Sequence, residues 1–325
     1  MVMKVFITGI TGFIGSTLAQ KLIKEGHEVS GLIRHSSNRP SVLSELENGG
    51  VRIYKGDLLD YYGLINIMKE ARPDVVCHLG AITPVSYSFG HPIEVNEVNF
   101  IGTMRLVEAI KATTDHLQKF IFSSSMEVYG KQAKIQAFTE ELEPHPLAPY
   151  AVSKYAAEKY LELQARVYDF PAMCFRQTNA YGRKHNDYFV IEAFITKILK
   201  AQRGYIDIGR KEPTRNFIYI DDLVDLWMKA ITLDQREFND VARGEVFNTG
   251  PDNGLTIEEL YEKIAQKLNW QGRPNWNSVE MRAGEVFYLN SSGEKAQEAF
   301  DWKPRYSLDE GLDLTIDYWK GKLNG

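Results

Sequence analysis

TGITGFIG, residues 8–15, is the stretch that decides the fold, because it follows a short apolar run and opens a segment with helical periodicity. In such a strand–turn–helix unit, Gly9 permits the tight turn and Gly12 lets the backbone approach a pyrophosphate. Gly15 lets the helix pack closely on the strand. The helix N-terminus adds N–H donors and the positive end of the helix dipole. This context predicts dinucleotide binding, with a purely structural turn as the alternative.

Strand and helix patterns alternate from this loop to about residue 178. The apolar runs typical of strands are MKVFITG, HEVSGLIR, VRIYKGD, DVVCHLGA, QKFIFSSS and PAMCFRQT. Segments with helical periodicity separate most of them, and two of these are long, near 92–112 and 149–168. The alternation predicts an α/β fold with a Rossmann-type, doubly wound parallel sheet that is covered by helices on both faces.

The pattern becomes looser beyond this point. Helices near 188–201, 221–232, 256–268 and 308–319 alternate with loops and short strands. We expect a dinucleotide-binding domain made of residues 1–178 with returning segments near 217–250. Residues 179–216 and 251–325 then form a smaller mixed α/β lobe that binds the substrate across a cleft.

The composition is that of a globular protein, with 325 residues, 44% hydrophobic residues and a net charge of -5. No basic excess indicates nucleic acid, and no apolar stretch reaches the roughly 18 residues of a membrane span. The start of the chain shows no signal peptide, so the expected location is the cytoplasm. Cys77 and Cys174 fall in apolar runs and are expected to be buried thiols. The histidines show no metal-ligand spacing, and we predict no metal site.

The end of the second predicted strand indicates which dinucleotide is bound. An acidic residue there would hold the ribose 2′-hydroxyl of NAD, whereas this sequence reads GLIRHSSN. Arg34 and the hydroxyl of Ser36 suit a 2′-phosphate, so we favour NADP over NAD. A solvated loop arginine is the alternative. Asp57 and Leu58 follow the third strand and are expected near the adenine.

Tyr150 and Lys154 are four residues apart on a predicted helix and therefore share one face. A nearby ammonium favours the phenolate, and a serine hydroxyl can bridge the tyrosine and a substrate alcohol. Such a group can remove the proton of a secondary alcohol while hydride leaves for nicotinamide. Tyr155 and Lys159 have the same spacing, but Tyr150 opens the helix near the sheet edge where ligands bind, within the string PYAVSK.

The strings TGITGFIG, SSSMEVYG, PYAVSK and TNAYG, in this order, resemble the extended short-chain dehydrogenase/reductase family. Its members act on nucleotide sugars as epimerases, 4,6-dehydratases, decarboxylases and 4-keto reductases. The resemblance covers nearly the whole chain, including TRNFIYIDDL and RAGEVFYLNSSGEKAQEAFDWKP. It implies a nucleotide-diphosphate sugar as the substrate and a homodimer or homotetramer built on the two long helices.

The resemblance also implies a set of site residues. Ser125, Tyr150 and Lys154 match the catalytic triad, and Ser125 and Met126 are expected near the sugar. Ser86 is also expected there because it follows the fourth predicted strand, with a structural loop as the alternative. Asn179 and Arg215 match contacts to the nucleotide diphosphate, while Arg282 and Glu285 match a late Arg-x-x-Glu that holds diphosphate and ribose. The expected cofactor contacts are Gly9, Thr11, Gly12, Phe13, Ile14, Gly15, Arg34, Ser36, Asp57, Leu58, Gly80, Ala81, Asn99, Ser123, Tyr150 and Lys154.

The two residues after the triad serine separate the branches of the family. Many 4-epimerases resemble Ser-Ala-Thr there, whereas 4,6-dehydratases of two kinds look like Thr-Asp-Glu and Thr-Ser-Glu. Here Met126 and Glu127 keep the glutamate without the aspartate. Once C4 of the sugar is a ketone, the C5 proton is acidic and a carboxylate can remove it.

We therefore favour an NADP-dependent 4,6-dehydratase that is similar to the guanosine-diphosphate-mannose dehydratases, with Glu127 as a catalytic residue. A nucleotide-sugar 4-epimerase is the main alternative, with Glu127 then a surface carboxylate or one near the diphosphate. A 4-keto-6-deoxy-sugar reductase and a non-catalytic, cofactor-sensing protein are further alternatives. Loss of Tyr150 or Lys154 would mark the last of these, and both residues are present.

Overall fold

The structure is a computed structural model that describes residues 2–36, 39–184, 186–201, 204–281 and 283–324. The strands are β1 (Lys4–Thr8), β2 (Glu28–Ile33), β3 (Arg52–Lys55), β4 (Val75–His78), β5 (Lys119–Ser125), β6 (Ala172–Gln177), β7 (Asn179–Tyr181), β8 (Tyr205–Asp207), β9 (Thr214–Arg215), β10 (Phe217–Tyr219), β11 (Val246–Asn248), β12 (Leu255–Thr256), β13 (Arg273–Asn275) and β14 (Tyr288–Leu289).

The helices are α1 (Phe13–Lys24), α2 (Pro40–Asn48), α3 (Tyr61–Ala71), α4 (Val85–Gly90), α5 (Pro92–Asn96), α6 (Gly102–Lys111), α7 (Pro149–Tyr168), α8 (Val190–Leu199), α9 (Ile220–Thr232), α10 (Gln235–Val241), α11 (Ile257–Lys267), α12 (Glu294–Phe300) and α13 (Leu308–Asn324). A π-helical turn, Glu97–Ile101, joins α5 to α6, and a short 3-10 helix, Met126–Tyr129, follows β5. None of the described helices is long and apolar enough to cross a membrane.

Seven strands form one parallel sheet in the order β11–β6–β5–β4–β1–β2–β3. Alternate side chains of each strand enter opposite faces, so Ile121 joins one hydrophobic core while Phe120 and Phe122 join the other. Both faces of the sheet are thus buried beneath helices, and each large side chain buried in this way contributes roughly 1.5–3 kcal/mol to stability. The predicted doubly wound parallel fold is confirmed.

Most of the predicted elements are present, with some differences. The helix expected near 92–112 is a continuous rod in three parts, in which α5 and α6 are separated by the π-helical turn. The helix α2 was not predicted. The short strands from β7 onward form three small sheets, apart from β11, which returns to become the edge of the main sheet beside β6.

The strand order reverses at β1, which has β2 on one side and β4 on the other. Connections from β1 and β4 therefore leave the sheet in opposite directions and open a crevice at its carboxyl edge. Residues that follow β1, β4, β5 and β6 meet there.

Candidate active site

The loop after β1 has the geometry that its glycines predict. Gly9 has a φ of +70°, and a Cβ on it would lie 2.9 Å from the amide nitrogen of Gly80. A Cβ on Gly15 would lie 2.4 Å from the carbonyl oxygen of Gly9. Gly12 caps α1, and its amide donates to the Gly9 carbonyl at 2.8 Å. Any side chain at these positions would displace the turn, so the backbone forms an open cradle at the start of α1.

This cradle is one end of a cleft of about 540 Å³ that runs along the carboxyl edge of the sheet. Nearly all of the predicted site residues line this cleft. They are Gly9, Thr11, Gly12, Phe13, Ile14, Gly15, Arg34, Ser36, Asp57, Leu58, Gly80, Ala81, Ser123, Ser125, Met126, Glu127, Tyr150, Lys154 and Asn179.

Asn99, expected to contact the cofactor, and Ser86, expected near the sugar, do not line the cleft. Asn99 is buried behind the cleft wall, where its amide accepts from the Ile82 N–H at 2.8 Å and donates to the Ile82 carbonyl at 3.0 Å. The same amide also donates to Ser153. It therefore fixes the loop after β4 and does not itself line the cleft. Ser86 is exposed on α4 and is also not among the cleft-lining residues.

Arg215 and Glu285 lie beyond the cleft and form an ion pair with each other, with 2.6 Å between Nη2 and Oε1. Parallel pairing of β9 with β14 holds the two segments side by side. Both side chains are mostly buried, so their charges are largely desolvated. Arg282, predicted to act with Glu285, lies outside the described residues.

Ser125 and Tyr150 meet in the cleft, at the end of β5 and the start of α7. The Ser125 hydroxyl accepts from the Glu127 N–H at 3.2 Å, which caps the short 3-10 helix, and it also hydrogen-bonds Tyr150. The pKa of Tyr150 is raised to about 12, mainly by burial; the hydrogen bond with Ser125 lowers it and the charge of Glu127 raises it. The lowered tyrosine pKa expected from the sequence is therefore absent in this structure, because desolvation outweighs the favourable contacts.

Lys154 is fully enclosed one helical turn from Tyr150. Its ammonium donates to the carbonyl oxygen of Ser123 at 2.7 Å and lies 4.7 Å from the centre of the Phe122 ring. Burial lowers the pKa of Lys154 to about 7, and the charge of Glu158 opposes this shift. By contrast, Lys159 of the rival pair is exposed and forms an ion pair with Glu162, away from the cleft.

Glu127 and Met126 have different surroundings although they are neighbours. Glu127 is partly exposed, lines the cleft and acts electrostatically on Tyr150. Met126 is 2% exposed and packs in a small core with Phe138 and Leu289. Its sulfur accepts a hydrogen bond from the Thr178 hydroxyl at 3.2 Å. The side chain of Met126, which follows Ser125, is therefore held in place and can neither donate nor accept a proton.

Sequence reasoning missed several polar residues that line the cleft, of which Arg39 and Gln177 bear most on ligand binding. Arg39 precedes α2 and donates to the Thr11 carbonyl at 2.9 Å, which brings a second guanidinium to the side of the cleft that holds Arg34. Gln177 ends β6 opposite Ser125, and its amide nitrogen is buried without a hydrogen-bond partner among the described residues. The position of Gln177 at the end of a strand next to SSS was the available signal.

The cleft fits a dinucleotide on two observations. A Cβ at Gly9, Gly12 or Gly15 would fill the glycine cradle, and the buried amide nitrogen of Gln177 has no acceptor among the described residues. Within the part of the chain that the structure describes, no group of three or more His, Cys, Asp or Glu side chains could hold a metal ion.

The family described as GDP-mannose 4,6 dehydratase matches residues 6–315. The UDP-glucose 4-epimerase of Mycolicibacterium smegmatis is 30% identical over an alignment of 325 positions that covers 98% of this chain and 99% of that protein. The structure of UDP-glucose 4-epimerase from Thermotoga maritima with UDP-glucose is 31% identical, with a TM-score of 0.88 over 98% of this chain and 99% of that one. The Thermus thermophilus UDP-glucose 4-epimerase in complex with NAD is 26% identical, with a TM-score of 0.86 and coverage of 98% and 99%.

The resemblance inferred from four short strings is thus confirmed over nearly the whole length of the chain. The chain belongs to the extended short-chain dehydrogenase/reductase family and is an enzyme of its NAD(P)-dependent nucleotide-sugar epimerase and dehydratase class.

Proposed function

We propose that this enzyme is an NADP-dependent 4,6-dehydratase of a nucleotide-diphosphate hexose. The observation that carries the proposal is the position of Glu127, a carboxylate that lines the cleft and acts electrostatically on Tyr150. Epimerisation at C4 needs no carboxylate at that point, whereas elimination across C5 and C6 needs a base. The match to the GDP-mannose 4,6 dehydratase family also supports this reaction.

The first step is oxidation at C4 of the sugar. Tyr150 takes the proton of the C4 hydroxyl, with Ser125 as a hydrogen-bonding bridge. Because burial raises the pKa of Tyr150, the phenolate requires positive charge nearby. We assign that role to the ammonium of Lys154, one helical turn along α7. A nicotinamide dinucleotide held in the cleft would supply the acceptor for the C4 hydride and the source of the hydride for C6.

Elimination follows once C4 is a ketone. Glu127 takes the proton from C5, and the electron pair of that bond forms the C5–C6 double bond as the C6 hydroxyl leaves. Met126 is aprotic, so Glu127 passes the proton to the departing hydroxyl and water forms. C5 regains a proton from solvent, which balances the one that Tyr150 took at C4. The product is a 4-keto-6-deoxy sugar.

NADP is the proposed cofactor because of the side chains at one end of the cleft. Arg34 is exposed there, Arg39 lines the same cleft, and Ser36 adds a hydroxyl. Two guanidinium groups suit a 2′-phosphate, which NAD lacks. The neighbour in complex with NAD supports a nicotinamide dinucleotide in general.

We also propose which part of the chain binds the substrate and which helices form the oligomer. The lobe formed by 179–216 and 251–325 would hold the nucleotide-diphosphate sugar, with Asn179, Arg215 and Glu285 near the diphosphate. A homodimer or homotetramer would form on α7 and on the helical rod that runs from α5 to α6. Exposed Val152, Leu163, Val167 and Tyr168 on α7 support such an interface, since each is at least 45% exposed.

The test is product analysis by NMR after incubation with a panel of nucleotide-diphosphate hexoses. We expect a 4-keto-6-deoxy sugar without net consumption of NADP, and we expect Glu127→Gln to lower its rate by at least 100-fold. Glu143→Gln, which changes an exposed carboxylate in the following loop, is the matched control. A C4 epimer as the product, formed equally well by Glu127→Gln, would overturn the proposal.

A nucleotide-sugar 4-epimerase is the second candidate. The similarity to UDP-glucose 4-epimerases over 98% of the chain favours it. So does Met126, because no carboxylic acid stands at that position to protonate the C6 hydroxyl. The product assay separates the two reactions directly, and stoichiometric consumption of NADPH with a 4-keto sugar would instead identify a reductase.

A further inference from the structure

Three side chains at four-residue intervals along α7 contact the serine run that ends β5. The contacts are Tyr150 with the Ser125 hydroxyl, Lys154 with the Ser123 carbonyl at 2.7 Å, and Glu158 with the Ser124 hydroxyl. Since residues four apart share one helical face, α7 presents a row of a phenol, an ammonium and a carboxylate to three consecutive residues. The first two belong to the proposed catalytic group, while the carboxylate has no assigned role.

Glu158 is also part of a buried ion pair. Its carboxylate and the guanidinium of Arg176 are 2.8 Å apart at Oε2 and Nη2, and the Arg176 Nε donates at 3.1 Å to the other oxygen. The two residues are 2% and 4% exposed. Arg176 lies on β6 directly opposite Ser124, and its guanidinium stands 4.7 Å over the ring of Tyr129. A carboxylate so fully enclosed and bonded has a fixed position relative to the serine run.

The ion pair of Glu158 and Arg176 also affects the charge state of Lys154. The titratable groups that act on the ammonium or adjoin it are Glu158, Cys174, His78 and Tyr150. Burial keeps the Cys174 thiol, the His78 ring and the Tyr150 phenol uncharged at neutral pH. Among the described residues, Glu158 is therefore the carboxylate that offsets the desolvation of Lys154, and Arg176 weakens its effect.

We propose that Glu158 and Arg176 are positioning residues that align the serine run with Tyr150 and Lys154 and set the charge state of Lys154. The proposal rests on the catalytic roles of Tyr150 and Lys154 given above. It does not depend on whether the product is dehydrated or epimerised, because both reactions begin with oxidation at C4.

Substitutions of Glu158 and of Arg176 should shift the pH profile of kcat/KM in opposite directions. Glu158→Gln keeps the shape of the side chain and a hydrogen-bond acceptor for Ser124 but removes the negative charge. We expect the alkaline limb of the kcat/KM profile to move to lower pH by roughly one unit, because Lys154 loses its proton more readily. Arg176→Met leaves Glu158 fully negative toward Lys154, so the limb should move to higher pH by a similar amount.

Removal of one partner from a buried pair also destabilises the fold, so melting temperatures accompany each profile. Glu162→Gln, at the exposed Lys159 pair on the same helix, is the matched control and should leave the limb in place. Shifts in the same direction, or no shift in folded variants, would mean that the pair only braces α7 against β6. If Arg176→Met does not fold, Glu158→Gln alone must move the alkaline limb of the kcat/KM profile to lower pH. Ser124→Ala, which changes no charge, must leave that limb in place.

The outcomes are distinct from those that test the proposed reaction. The profile is measured on whichever product forms, so opposite shifts support the pair even where Glu127→Gln leaves the product unchanged. Conversely, if the product is dehydrated but the alkaline limb does not shift in either variant, the proposed function stands and the inference about Glu158 and Arg176 is wrong.

Discussion

Ser125 and Gln177 lie directly opposite each other where β5 and β6 end, and the Gln177 amide nitrogen is buried in the cleft wall without a partner among the described residues. A buried donor of this kind is costly unless a ligand satisfies it. Since Ser125 and Tyr150 are at the same end of the cleft, far along the sheet from Arg34, the nicotinamide carboxamide is the acceptor that we expect there.

Gln177→Leu is therefore predicted to weaken NADP binding by roughly tenfold, the effect of one lost hydrogen bond. Titration calorimetry with NADP and with 2′-phospho-ADP-ribose checks this, because the fragment lacks the nicotinamide and should bind both proteins equally. Gln136→Leu, at an exposed position, is the control. Equal weakening of both ligands would show that the substitution perturbs the cleft as a whole.

Gly15→Ala should abolish cofactor binding. The new Cβ would lie 2.4 Å from the carbonyl oxygen of Gly9. No side-chain rotation can relieve this contact, because the backbone fixes the position of the Cβ. Displacement of the turn would move the N-terminus of α1 away from the phosphates. We expect at least a 50-fold loss of NADP affinity by calorimetry. Gly90→Ala is the control, since a Cβ there meets nothing within 4 Å, and unchanged affinity in Gly15→Ala would contradict the role of the cradle.

The sequence predicted the sheet and the cleft well because both follow from local patterns. Strand periodicity places the carboxyl ends of parallel strands at one edge, and the glycine spacing marks the edge that binds ligands. It could not show that Tyr150 has a raised pKa, because burial depends on side chains distant in sequence. The contact between Arg39 and Thr11 was hidden for the same reason, since it joins a loop before α2 to the loop after β1.

Asn99 shows a different limit of the sequence. Its position in the family pattern indicated a cofactor contact, yet its amide is occupied by Ile82 and Ser153. A motif identifies a residue that matters to the site without saying whether it touches the ligand or supports the wall behind it.

The preference for NADP should depend on the arginines at the adenosine end of the cleft. Arg34→Ala is expected to weaken NADP binding by 10-fold or more and leave NAD binding nearly unchanged, because a charge-assisted bond to the 2′-phosphate contributes about 1.5–3 kcal/mol. Fluorescence titration with both dinucleotides gives the ratio of the two affinities. Arg52→Ala, an exposed arginine on β3 that pairs with Glu70, is the control. Equal losses for NADP and NAD would count against a 2′-phosphate contact.

His78 should make the protein less stable in acid. It is buried at the end of β4 between the hydroxyls of Thr8 and Thr103, at 2.6 and 2.9 Å. Burial, helped by the charge of Lys154, lowers its pKa to about 3. Between about pH 3 and 6.5 the unfolded chain binds a proton at this residue while the folded protein does not, so the free energy of unfolding falls as the pH falls through that range.

Because of His78, the free energy of unfolding is expected to fall by about 2 kcal/mol between pH 7.5 and pH 5. Each pH unit below the unfolded pKa of about 6.5 costs about 1.4 kcal/mol, and pH 5 lies about 1.5 units below it. Urea unfolding at the two pH values measures it. In His78→Gln, which can still hydrogen-bond both threonines, the difference between the two pH values should shrink by that amount, even if the variant is less stable at both. His91→Gln, at an exposed position, should retain the full difference. A His78→Gln variant with an undiminished acid loss would mean that other buried groups, and not this imidazole, bind the protons on unfolding.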